Sequence, residues 1–151
     1  MDDLKKNAIA KFREVFRKVD IQYTNFAKKL GINYAAVCVM ECISESVGLI
    51  TQKEICERLV LPKQLVNTII KSFWEQGLVE LKEAKDRRNK VIILTDAGKK
   101  YADTITAPLQ YVDFMAWDCF TTEEIKIFIK LIERYEVSIE RAVNDFIEYE
   151  T

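Results

Sequence analysis

At 151 residues the chain has the length of one domain and can bury a sizeable core. Its composition, 49% hydrophobic and 31% charged, has no apolar run near the roughly 20 residues that span a bilayer. The start Met1-Asp2-Asp3-Leu4-Lys5-Lys6 also lacks the apolar stretch of a secretion signal, so a cytoplasmic protein with no membrane partner is expected. The net charge of −1 excludes a uniformly basic binder of nucleic acid, but its distribution is uneven. Residues 51–100 carry eleven Lys/Arg against seven Asp/Glu, and residues 101–151 carry four against eleven. With four Gly and two Pro as the only strong breakers, a helix-rich fold is favoured.

Ile9, Phe12, Phe16, Val19, Tyr23, Phe26 and Leu30 recur at alternating spacings of three and four, the mark of a helix with one continuous apolar seam. Gly31 ends it, and Asn33 is placed to cap a second helix with Val37, Met40 and either Cys42 or Ile43 inward. Thr51-Gln52-Lys53-Glu54 reads as a capping box opening a short helix with Ile55, Cys56 and Leu59 inward. Val60-Leu61-Pro62 breaks that helix, and Pro62 suits the first turn of the next. This next helix is predicted to run to about Gln76, with Val66, Ile69, Ile70 and Phe73 inward and Gly77 closing it. Two short helices joined by a tight turn make a helix-turn-helix.

Leu78–Lys82 and Val91–Leu94 are predicted strands of a hairpin whose charged turn spans residues 83–90. Thr95 is placed to cap a helix reaching roughly Trp117, and Thr121-Thr122-Glu123-Glu124 offers a second capping box. The last helix carries Ile125, Phe128, Ile132, Tyr135, Ile139, Ala142 and Phe146, again spaced three and four. Such a seam can lie on its own domain's core; one at each end of a small chain favours packing between subunits.

On the helix from residue 63 to about 76, the face opposite the core presents Lys63, Gln64, Asn67, Thr68 and Lys71. Gln and Asn can pair two hydrogen bonds with an adenine edge, Lys reaches guanine or phosphate, and Thr meets a base edge or a thymine methyl. A solvated helix face has the same composition; the adjacent hairpin tip, with Arg87, Arg88 and Lys90, tilts the balance toward DNA. Enzyme chemistry finds little support. The chain has no His, no Gly-x-Ser-x-Gly, no Gly-rich phosphate loop and no Gly-x-Gly-x-x-Gly. No catalytic residue and no cofactor are expected. Cys38, Cys42, Cys56 and Cys119 form no Cys-x-x-Cys, so no metal site is expected and buried, reduced thiols are.

The order of these elements, with Leu30-Gly31-Ile32-Asn33, Thr51-Gln52-Lys53-Glu54-Ile55-Cys56-Glu57-Arg58-Leu59, Gly77-Leu78-Val79, Asp86-Arg87-Arg88 and Leu94-Thr95-x-x-Gly98, resembles the MarR family of bacterial transcription regulators. The resemblance covers nearly the whole chain and is densest from Leu30 to Gly98. It implies a mainly α (α+β) fold: a winged helix-turn-helix with N- and C-terminal dimerisation helices and a small β-hairpin wing. Residues 1–151 would form a single domain, with 33–99 the winged helix-turn-helix and 1–32 and 100–151 the dimerisation helices. It further implies a homodimer on a pseudo-palindromic operator of double-stranded DNA, acting as a repressor. Lys63, Gln64, Asn67, Thr68 and Lys71 would face the major groove. Arg88, with Arg87 and Lys90 beside it, would be the wing-tip cation, and Asp86 the acid that braces the wing.

Relatives often bind a small aromatic effector between the dimerisation helices and the winged domain; Tyr23, Phe26, Tyr34, Tyr111, Phe114 and Trp117 are the candidates here. The chain departs from the family pattern in carrying Glu80-Leu81-Lys82 after Gly-Leu-Val, where an Arg is common. Two other functions fit the same fold: a winged-helix module for protein–protein contact, and a thiol-based redox-sensing regulator.

Overall fold

The computed structural model describes residues 2–46, 49–83 and 90–150. In chain order the elements are α1 (Asp3–Lys29), α2 (Tyr34–Glu45), β1 (Ile50–Thr51), α3 (Gln52–Leu59), α4 (Lys63–Glu75), β2 (Val79–Glu83), β3 (Lys90–Leu94), α5 (Asp96–Trp117) and α6 (Thr122–Glu150). Two compact units divide the chain, Met1–Pro108 and Leu109–Thr151. The division falls inside α5 at Pro108, which has no amide proton to give to the helix ladder.

The helix starts follow the sequence signals. Asn33 accepts from the Ala36 amide at 2.8 Å. Thr51 and Glu54 form the reciprocal capping box at the head of α3. Thr121 and Glu124 repeat it at α6, the Thr121 amide donating to the Glu124 carboxylate at 2.8 Å and the Glu124 amide to Thr121 Oγ1 at 3.3 Å. In both boxes the bonds from the Thr backbone and hydroxyl hold the Glu carboxyl below its ordinary pKa.

Three helices end in one way. After α1, Gly31 takes φ +74°, its amide bonding Lys28 and the next amide, of Ile32, reaching back to Ala27. After α4, Gly77 takes φ +70°, with Gly77 bonding Trp74 and Leu78 bonding Phe73. Both are Schellman closures, in which a left-handed residue lets the chain turn back on the last carbonyls. After α3 the left-handed residue is Val60, at φ 52°, and the Leu61 amide returns to Cys56 at 3.2 Å. A β-branched side chain is disfavoured in that conformation.

The core of the first unit gathers Val39, Met40 and Ile43 of α2, Ile55 of α3, Val66, Ile69, Ile70 and Phe73 of α4, and Ile50, Val79 and Ile92 of the sheet. The expected inward faces of α2 and α4 are therefore buried. Cys42 is buried and its thiol is pushed up in pKa by burial, Cys38 and Cys56 are half-buried, and Cys119 is exposed; none of the four is in a disulfide. The expectation of buried thiols thus holds fully for Cys42 alone.

The strands form an antiparallel sheet in the order β1-β3-β2, with Ile50 opposite Ile92 and Leu81 opposite Ile92 on the other side. The two-residue β1 has no separate signal in the sequence, because Ile50-Thr51 is too short for any alternation to show. In α1, Ile9, Phe12, Phe16 and Val19 of the seam are exposed, and only its C-terminal part, Tyr23, Phe26 and Leu30, is half-buried. In the second unit, Phe128, Ile132, Tyr135, Ile139 and Phe146 of the α6 seam are exposed. No helix among the described residues is long and apolar enough to cross a membrane.

Candidate nucleic-acid interface

The helix pair α3–α4 is set by its caps. The box at Thr51 fixes where α3 starts, Val60 turns the chain, and Pro62 precedes α4 with no side-chain cap of its own. Gln52 Nε2 donates to the Lys63 carbonyl at 3.4 Å, a long bond that ties the head of α3 to the head of α4. With Val66, Ile69, Ile70 and Phe73 buried, rotation of α4 is fixed, and the opposite face has to look outward.

That outward face carries Lys63, Gln64, Asn67, Thr68 and Lys71, all exposed, as the spacing predicts. Asn67 and Gln64 make no side-chain hydrogen bond within the protein among the described residues, so their amides are open to a partner. Thr68 differs. Its hydroxyl donates to the Gln64 carbonyl at 2.9 Å, which leaves the oxygen as an acceptor and the methyl as an apolar contact. Lys71 lies 3.8 Å from Glu75, both exposed, a loose surface pair that costs little to break.

The wing is anchored at its root. Thr95 Oγ1 donates to the Gly77 carbonyl at 2.7 Å and accepts from the Gly98 amide at 2.9 Å. The Thr95 amide donates to the Leu78 carbonyl at 3.0 Å. One threonine thereby caps α5 and ties it to the turn between α4 and β2. Lys90 stands exposed at the head of β3. Asp86, Arg87 and Arg88, expected as wing brace and wing-tip cations, lie outside the described residues.

A groove of about 800 Å³ is lined by α4, the sheet and the outer side of α3. Its apolar lining is Cys56, Ile70, Ile92, Leu81 and Trp74; Lys53, Lys63, Lys71 and Lys90 stand around it, with Glu57 as the acid. Trp74 is 55% exposed, and sequence reasoning missed it. The signal was present: positions 63, 67, 70 and 74 share one row at helical spacing, so Trp74 extends the flank of the polar stripe that faces the wing.

Of the aromatic residues expected near an effector, Tyr23 and Tyr34 come together, stacked with ring centroids 5.1 Å apart, and Phe26 is half-buried. In the second unit Trp117 packs on Phe120 at 5.8 Å and on Phe128 at 5.5 Å, while Tyr111 and Phe114 are exposed.

An α2–α3–α4 core with a capped helix-turn-helix, followed directly by an antiparallel wing, defines a winged helix-turn-helix protein. Residues 30–89 match the model of the MarR family. It is 29% identical over 106 residues to YwoH of Bacillus subtilis, an HTH-type transcriptional regulator, over 70% of this chain and 76% of that one. Among solved structures, NMB1585, a MarR family regulator from Neisseria meningitidis, superposes with a TM-score of 0.77 at 25% identity, over 96% of this chain and 99% of that one. The S. aureus MepR–DNA complex superposes with a TM-score of 0.72 at 15% identity, over 85% and 93%, and so shares the fold.

Proposed function

We propose that the chain is a sequence-specific, double-stranded DNA-binding transcriptional regulator that works as a homodimer. The observation that carries this is the α4 face: Gln64 and Asn67 stand exposed with open amides on a helix whose rotation is locked by four buried side chains. Such a helix fits a major groove, and its amides match adenine edges. The MarR-type winged helix and the DNA complex formed by MepR support the same reading.

The homodimer is supported by the exposed seams of α1 and α6, each a row of large apolar side chains that a partner helix would cover. Two α4 helices in a dimer call for half-sites about one helical turn apart, roughly 34–36 Å. In this account the protein is a cytoplasmic repressor. A small aromatic effector lowers its affinity by changing the separation of the reading helices; its contacts are drawn from Tyr23, Phe26 and Tyr34 of the first unit or from Tyr111, Phe114 and Trp117 of the second.

The test is a selection of binding sequences from random duplexes with the parent protein, Asn67→Ala and Arg88→Ala. Asn67→Ala is expected to relax the preferred base at one position of each half-site, and Arg88→Ala to weaken binding to all sequences. An unchanged preference in Asn67→Ala would remove α4 as the reading element.

A further inference from the structure

We propose that the groove between α4 and the wing sheet is the track for the sugar–phosphate backbone of one DNA strand, and that Trp74 is its apolar wall. This rests on the DNA-binding function proposed above and extends it to Trp74, which lies outside the base-reading stripe, on a groove that shares Lys63, Asn67 and Lys71 with that stripe. If α4 lies in a major groove and the wing reaches the neighbouring minor groove, one strand must cross between them, because a single backbone separates adjacent grooves. The space between α4 and the sheet is the groove that Trp74 and Leu81 line.

Its lining combines cations with apolar surface, as a sugar–phosphate backbone requires; Glu57, the acid of the lining, lies 3.6 Å from Lys53. Lys63, Lys71 and Lys90 supply cations for phosphates, while the indole of Trp74 and the exposed side chain of Leu81 supply apolar surface for deoxyribose. Lys63 and Lys90 meet no acid among the described residues, and Lys71 is held only by its loose contact with Glu75. A half-exposed tryptophan on such a groove is costly surface to leave in water, and tryptophans that become buried on binding dominate interfaces. Sugar contact carries no base information, so Trp74 sets affinity and register, and Asn67 and Gln64 set sequence.

The chain has two tryptophans, so Trp117→Phe leaves Trp74 as the sole indole emitter. Acrylamide quenching of this variant is measured free and saturated with labelled duplexes of about 30 base pairs, long enough for two half-sites a helical turn apart. The duplexes tile the DNA upstream of the protein's own gene, and their anisotropy reports binding in the same cuvette. Bound DNA is expected to cut the quenching of Trp74 severalfold. In the otherwise native chain, Trp74→Ala is expected to lower affinity about tenfold. It should leave the slope of log affinity against log salt unchanged, whereas Lys63→Ala and Lys90→Ala each reduce that slope by about one.

If DNA binds while Trp74 stays as quenchable as in the free protein, or Trp74→Ala binds as tightly as the parent, the backbone track is overturned and the DNA-binding function stands. If the parent binds none of the duplexes even at low salt, that function falls and the track with it. Should Trp74→Ala lose its melting transition, Trp74→Phe takes its place with a smaller expected loss, and the quenching result, which uses the native Trp74, still decides.

Discussion

Gly98, in the first turn of α5, lies against the carbonyl of Leu78 at the foot of the wing: a Cβ on Gly98 would sit 1.8 Å from that oxygen. The Leu78 carbonyl is in turn held by the Thr95 amide at 3.0 Å. No side chain fits between them, so the Thr-x-x-Gly at the end of β3 is a packing requirement as well as a helix start. Gly98→Ala must push α5 away from the wing root. It is expected to lower the free energy of unfolding by about 3 kcal/mol, the upper range for overpacking a site that cannot relax. Urea denaturation monitored by circular dichroism measures it; a loss within error of zero would show that the wing root is free to shift.

Val60 offers the reverse case. It stands 87% exposed in the left-handed conformation, so its side chain gives little packing in return for the backbone strain. Val60→Gly is expected to stabilise the protein by about 1 kcal/mol, the left-handed penalty less the extra freedom that glycine gains when unfolded. The same denaturation experiment reads it. Destabilisation instead would mean that the Val60 side chain makes contacts which outweigh the strain.

The sequence made the helix ends legible wherever a side chain or a glycine carries the signal: Asn33, Thr51 with Glu54, Gly31, Gly77, Thr95, and Thr121 with Glu124. It also placed the inward faces of α2 and α4 and the outward face of α4, because helical period alone sets them. Three features were not legible. The strand β1 is two residues long and exists only through its pairing with β3. The left-handed turn at Val60 goes against its residue type. Trp74 reads as one more aromatic at helical spacing until the sheet is folded beside it, when it becomes the wall of a groove. Gly98 was legible as part of a motif, and its contact with Leu78 supplies the reason.

The two capping boxes set a pH dependence. Glu54 and Glu124 are both held below their ordinary value of 4.5 by the Thr amide and hydroxyl that bond them. A carboxyl whose folded pKa is depressed stabilises the fold fully above its unfolded pKa, and that contribution fades as pH falls through the folded value. Melting temperature is therefore expected to drop between neutral pH and about pH 3, with part of the drop belonging to these boxes. The double variant Glu54→Gln with Glu124→Gln, which keeps an acceptor but no titrating proton, should melt lower than the parent at neutral pH and lose less on acidification. Parallel curves for the two proteins would assign the acid sensitivity to other groups.

The exposed seams make a claim about assembly. Phe16 on α1 and Ile139 on α6 lie in rows of exposed apolar residues. Under the homodimer proposed above, Ile139→Glu and Phe16→Glu each place a charge in the interface, which costs several kcal/mol when unpaired and desolvated. Sedimentation equilibrium is expected to show a dimer for the parent and a shift toward monomer for both variants. A parent that sediments as a monomer at high concentration would refute the homodimer.

Under the function proposed above, the α4 face reads duplex DNA. The most direct measurement is the affinity of the purified chain for labelled duplexes tiling the DNA upstream of its own gene, taken across a range of salt. One region is expected to bind about a thousandfold more tightly than its shuffled sequence, with affinity falling steeply as salt rises. Equal, weak and salt-insensitive binding to every duplex would contradict it.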